Sequence, residues 1–159
     1  MSAVERAARL QRAIQLFSNI RRLDEKAVIP SLLICHAYLE CYSTSSVPLT
    51  SAAINSLIDA ARRRPEVFAE RPNIAAHFGD VDPQTGRSAT LERQLRRYAR
   101  IAAEKSTSDV LVLQAYCAWM LGDSRRAAES LSKAEELLAG GEQALPQIQL
   151  LIAALRYAL

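Results

Sequence analysis

The chain has 159 residues, 50% hydrophobic and 23% charged, with a net charge of +3. A chain of this length buries roughly 70% of its unfolded surface, enough to fold without disulfides or a metal. Three cysteines, odd in number and set in apolar helical runs, point to buried thiols in a reducing compartment, and no apolar run reaches the roughly 18 residues of a membrane-spanning helix.

Apolar residues recur at helical spacing nearly everywhere, and runs of strand-like alternation are missing. Ala7, Leu10, Ile14 and Phe17 place a first helix over about 3–24. The start, MSAVERAARLQRAIQLF, lacks the uninterrupted apolar core of a secretory leader, so a cytoplasmic protein is expected, or a piece cut from a longer one. Pro30 opens a second helix, SLLICHAYLECY, apolar on almost every side and so expected to be buried between neighbours. STSSVP breaks it, and Thr50 or Ser51 caps a third helix with Ile54, Leu57, Ile58 and Ala61 on one face. Pro65 ends that helix, and a fourth, over about 66–78, would have to kink at Pro72.

After a loop at 79–87, Ser88 caps a fifth helix with Leu91, Leu95, Tyr98 and Ala102 on one face. Its other face carries Arg93, Arg96, Arg97 and Arg100. Ser108 caps a sixth helix, LVLQAYCAWML, again apolar all round. Gly122 and Asp123 turn the chain into a seventh helix over about 124–138, which Gly140–Gly141 stops. Pro146 opens a last helix with Ile148, Leu151, Ile152, Leu155 and Leu159 on one stripe. About eight helices in short-jointed hairpins are predicted, an all-α domain over 1–159.

The segment AYCAWMLGDSRRAAESLSKAEEL resembles a tetratricopeptide repeat. Ala115, the Gly122 turn, then Ala127, Leu131 and Ala134 occupy the places of that motif, where small residues let two helices approach closely. Gln114 and Ala118 depart from it. Ala37, Ala53, Leu57, Ala60 and Pro65 repeat the spacing across a turn about four residues longer, and Ala13, Phe17 and Ile20 repeat it loosely. Phe78-Gly79-Asp80, then LERQLRRYARIA and LVLQAYCAWMLGD, are similar in order to a divergent bacterial type of the superfamily. The resemblance implies a right-handed superhelical array of antiparallel hairpins whose first helices line a concave, partner-binding groove. By that mapping Ile34, Tyr38, Tyr42 and Cys41 share the groove with Val112, Tyr116 and Trp119. Packing in the core is the alternative for the same residues.

Little else points to chemistry. Asp80 and Asp82 suggest a calcium loop, but glycine falls seventh instead of sixth and Leu91 stands where a bidentate glutamate belongs. Asp, Pro and Gly are also what any turn uses. His36, His77, Cys35 and Cys41 lack zinc-ligand spacing, and Cys117 has no activating neighbour in sequence. No phosphate loop or hydrolase motif occurs, so no enzyme activity, cofactor or metal is expected. From Arg62 to Arg100 nine arginines face five acidic residues, a basic face that would suit nucleic acid or another anionic partner. The leading expectation is a non-catalytic interaction module that holds a protein or peptide segment. A nucleic-acid surface at Arg62–Arg100 is second, and a spacer domain third.

Overall fold

Seven α-helices and one short 3-10 turn account for the regular structure in the computed structural model, which describes residues 2–41, 50–104 and 107–159. They are α1 (Ala3–Leu23), α2 (Ile29–Cys41), α3 (Thr50–Arg63), α4 (Ala89–Glu104), α5 (Ser108–Met120), α6 (Ser124–Ala139) and α7 (Ile148–Ala158). The described residues form an all-α fold, with Val81 and Ser88 making only an isolated bridge. None of these helices is long and apolar enough to cross a membrane. Tyr42 and the STSSVP linker lie outside the described residues, as do the side chains of Cys41 and Ala102.

Local chemistry explains most boundaries. Ser2 and Glu5 form a reciprocal capping box at the start of α1. Gly122 takes φ +80, a left-handed turn that costs glycine little, and Asp123 then caps α6 through the Arg126 amide. At the other end of α6 the amides of Gly141 and Glu142 bond back to Leu138 and Leu137, a Schellman stop. The cap of α5 is Thr107, one residue before the expected Ser108: its hydroxyl accepts from the Val110 amide, while the Ser108 amide donates to Glu142. Thr50 opens α3, and its hydroxyl pairs with Tyr98 Oη at 2.9 Å.

Residues 66–78 do not form the expected fourth helix. They run through turns to a 3-10 turn at Ile74–His77. Pro72 disfavours helical backbone at the residue before it, and Arg71 sits at φ +51. The segment still feeds the core, because Val67, Phe68 and Ile74 are buried.

The α2–α3 and α5–α6 hairpins are the two most closely packed pairs. Of the residues that the repeat pattern singled out, Ala37, Ala53, Ala60, Ala115, Ala127, Ala134, Leu57 and Leu131 are buried, whereas the loose third match on α1 is not: Ala13 and Phe17 are half-buried and Ile20 is exposed. Helix α4 covers α5. Helix α7 packs chiefly on α3, with smaller contacts to α5 and α6, so the C-terminal helix returns to the middle of the fold. Helix α1 contacts α2 alone in quantity and buries no residue fully, leaving Leu16, Ile20 and Leu23 exposed on its outer side.

A polar chain crosses the core. Gln94 Nε2 donates to the His36 carbonyl and to Glu40, which leaves its oxygen to accept from His36 Nδ1 at 2.8 Å. His36 Nε2 is therefore the acceptor for the Tyr116 hydroxyl, also at 2.8 Å. Burial holds the imidazole pKa down at about 4, against the opposing Gln94 hydrogen bond. Every ring atom with a hydrogen-bonding role is thus satisfied while the ring stays neutral.

Candidate functional site

The residues mapped from the resemblance separate into two groups. Val112 and Tyr116 are fully buried, and Trp119 is 5% exposed. Tyr116 and Trp119 stack at 6.1 Å, and both meet the edge of Phe68 at 5.8 and 5.7 Å. Val112 and Tyr116 belong to the core, and Trp119, packed with them, reaches only a smaller pocket of about 260 Å³ beside Ile74, Leu91 and Met120, away from Ile34 and Tyr38. The reason is coverage: α3, α4, α6 and α7 all touch α5, and Phe68 closes the remaining side. On α2 the outcome differs. Ile34 and Tyr38, one turn apart, do line an open groove of about 610 Å³.

Three helices and one loop build that groove. Helix α1 contributes Ile14, Ser18 and Arg21 at helical spacing, and α2 contributes Ile34 and Tyr38. Helix α3 contributes Asn55, Asp59 and Arg62, which lie opposite its buried stripe of Ile54, Leu57 and Ala61. The α6–α7 connection closes one side with Leu145, Pro146 and Gln147. Gln147 stands at φ +66, a left-handed conformation that non-glycine residues adopt infrequently. The volume lies in the range of ligand sites, while the lining, half apolar and half polar, is more polar than most of them.

An ion-pair network fixes the groove's shape. Asp59 Oδ2 accepts from Ser31 Oγ at 2.5 Å, Arg63 Nε at 2.8 Å and Arg21 Nη1 at 3.5 Å. Arg63 Nη1 also donates to the carbonyls of Arg21, Asp24 and Glu25 at 3.0 to 3.1 Å. It thereby meets the orphan carbonyls and negative dipole at the end of α1 and locks that end to α3. In contrast, Tyr38, Asn55 and Arg62 make no side-chain hydrogen bond or ion pair among the described residues. Sequence reasoning missed Asn55 and Arg62 as a pair. Their spacing through Asp59 was readable, but it became a site only because α1 and the α6–α7 connection pack around it.

The basic face is smaller than its sequence suggested. Among the nine arginines from Arg62 to Arg100, five are tied to partners. Arg63 serves the network above, Arg64 pairs with Glu70 and Arg87 with Glu92. Arg96 also reaches Glu92, at 3.6 Å. Arg97 donates to the Leu39 carbonyl at 3.0 Å and lies 3.9 Å from Glu40, so it joins α4 to α2. Arg93 and Arg100 are exposed and without ion pairs among the described residues.

The aspartate loop is organised around capping. Asp80 accepts from the Ser88 hydroxyl and, through its other oxygen, from the Thr90 amide and hydroxyl at 2.9 and 2.7 Å. Those bonds, Ser88 first, pull its pKa down to about 2. Asp82 accepts from the Gln84 amide in a local turn, and Gly86 at φ +67 closes it. Asp80 therefore fastens the loop to the start of α4. Among the described residues no three His, Cys, Asp or Glu side chains gather as a metal site. Cys35 and Cys117 are buried free thiols whose pKa values burial pushes up, which holds them protonated.

No family model, curated protein or solved structure matches this chain.

Proposed function

We propose that the protein is a non-catalytic interaction module that holds a segment of a protein partner in the groove between α1, α2 and α3. The observation that carries this reading is the groove itself: about 610 Å³, lined by apolar and polar side chains in equal measure, with Tyr38, Asn55 and Arg62 unengaged among the described residues. Polar side chains with no partner in the fold are free to bond a ligand, and tyrosine supplies apolar area with a polar tip. The two close hairpins, α2–α3 and α5–α6, support a tetratricopeptide-like ancestry and the superhelical array that goes with it. Helix α7 would then be a cap folded back over the array.

Selection from a displayed library of random peptides tests the reading. The native protein should enrich a shared sequence pattern. Ser18→Trp, which fills the groove from α1, and Tyr38→Ala should both lose it. Enrichment that survives both changes would place the binding surface elsewhere.

A basic surface for nucleic acid remains a second reading, supported by exposed Arg93 and Arg100 on α4. It is the weaker one, because Arg96 and Arg97 are already engaged by partners within the fold.

A further inference from the structure

We infer that the groove takes an extended peptide segment carrying an acidic side chain, with Arg62 as the group that receives the carboxylate. This rests on the groove reading above and adds the chemistry of the occupant.

The argument is one of charge balance inside the site. Asp59 is the one carboxylate on the groove wall, and the fold already spends it: Ser31, Arg63 and Arg21 all converge on its Oδ2. Arg63 is in turn committed to three backbone carbonyls at the end of α1. What is left over is Arg62, exposed, on the same wall, and unpaired among the described residues. The C-terminal dipole of α3 favours a cation at this position but does not use up its hydrogen bonds. The groove's unspent charge is therefore positive, and a planar guanidinium is suited to bidentate contact with a carboxylate.

Asn55 supplies the second half. It lies seven residues before Arg62 on the same face of α3, about 10 Å along the helix axis. Its side-chain amide offers both a donor and an acceptor, the pair that matches a backbone peptide group. An extended chain advances about 3.3 Å per residue, so about three residues separate the peptide group at Asn55 from the carboxylate at Arg62. In the same groove, half-buried Tyr38 and Leu145 offer apolar surface for an intervening side chain. A lone phosphate would satisfy Arg62 but would leave the Asn55 amide and the apolar wall unused.

Amide-resolved NMR of the full chain, titrated with three pools of capped hexapeptides, tests this. The pools share leucine, valine and phenylalanine and differ only in carrying one glutamate, glutamine or lysine. The glutamate pool should move amide signals around Asn55–Arg62 and Tyr38. It should bind about tenfold more tightly than the glutamine pool at low salt, a preference that added salt erodes. Arg62→Glu should abolish that preference and Arg62→Gln should reduce it. Arg62→Gln should keep a near-native melting temperature, because Arg62 has no partner in the fold to lose, whereas Arg62→Glu should lower it slightly, because a carboxylate in the last turn of α3 opposes the helix dipole. Equal binding of the glutamate and glutamine pools, or a preference that survives Arg62→Glu, would overturn the acidic-segment inference while leaving the groove as a peptide site. Silence of the groove signals toward all three pools would overturn the groove reading as well. A short oligothymidylate that moves the same signals more strongly than the glutamate pool would show that phosphate is the preferred anion, which also refutes the inference.

Discussion

Helices α2 and α5 are each 13 residues long and apolar on nearly every side, and each carries a tyrosine in its C-terminal half. Tyr116 on α5 is fully buried, whereas Tyr38 on α2 is half-buried at the edge of a groove. The two helices differ in what surrounds them. Helix α5 is enclosed by α3, α4, α6 and α7, while α2 has α1 and α3 as its main neighbours. An all-apolar helix thus carries no information about which side stays open. The neighbours decide, and here the return of α7 onto α3 and α5 seals one helix and shapes the groove beside the other.

The largest expected effect is on the sealed side. Trp119→Ala removes a large ring that stacks on Tyr116 and meets Phe68 edge-on, and should cost about 3–5 kcal/mol in denaturant unfolding. A loss near that of an exposed residue would mean that α5 is not enclosed as described, and the contrast with α2 would collapse.

The same contrast marks how far the sequence could be read. Helical period, glycine stops and capping residues located α1, α3, α6 and α7 to within a few residues, because those signals are local. The pattern Ala115–Gly122–Ala127–Leu131–Ala134 also found a hairpin whose small residues are in fact buried. Residues 66–78 were misread because Val67, Phe68 and Ile74 have apolar content compatible with a helix, while Pro72 and the left-handed Arg71 forbid one. The groove was half legible. Ile34 and Tyr38 belong to it, but Val112, Tyr116 and Trp119 do not, since the choice between them depends on α7 and Phe68, which arrive from distant parts of the chain.

An intermediate effect should appear where the two helices are joined. His36 on α2 accepts from Tyr116 on α5, and burial lowers its pKa from 6.5 to about 4. The unfolded chain takes up a proton below pH 6.5, and the folded chain does so only near pH 4. This contribution to stability is therefore complete above pH 6.5 and is lost as pH falls to about 4, by about 3 kcal/mol in total. Unfolding midpoints measured at successive pH values from 7 to 4 check this, and His36→Gln should flatten the profile across that window. Asp80, with its pKa lowered from 3.8 to about 2, acts in a separate and lower window, which keeps the two acid phases distinct.

The smallest effect on stability should fall on the open side, and it sharpens the comparison most. Tyr38→Ala removes a ring that is half-buried and whose hydroxyl has no partner among the described residues, so it leaves no polar group stranded. It should cost about 1 kcal/mol or less. Denaturant unfolding of Tyr38→Ala beside Trp119→Ala tests this directly. If the groove binds a partner segment, Tyr38→Ala should impair binding in a protein that is otherwise intact, whereas Trp119→Ala should impair binding only as far as it unfolds the chain. A cost for Tyr38→Ala matching that of Trp119→Ala would place Tyr38 in the core as well, and the open groove would lose its principal aromatic.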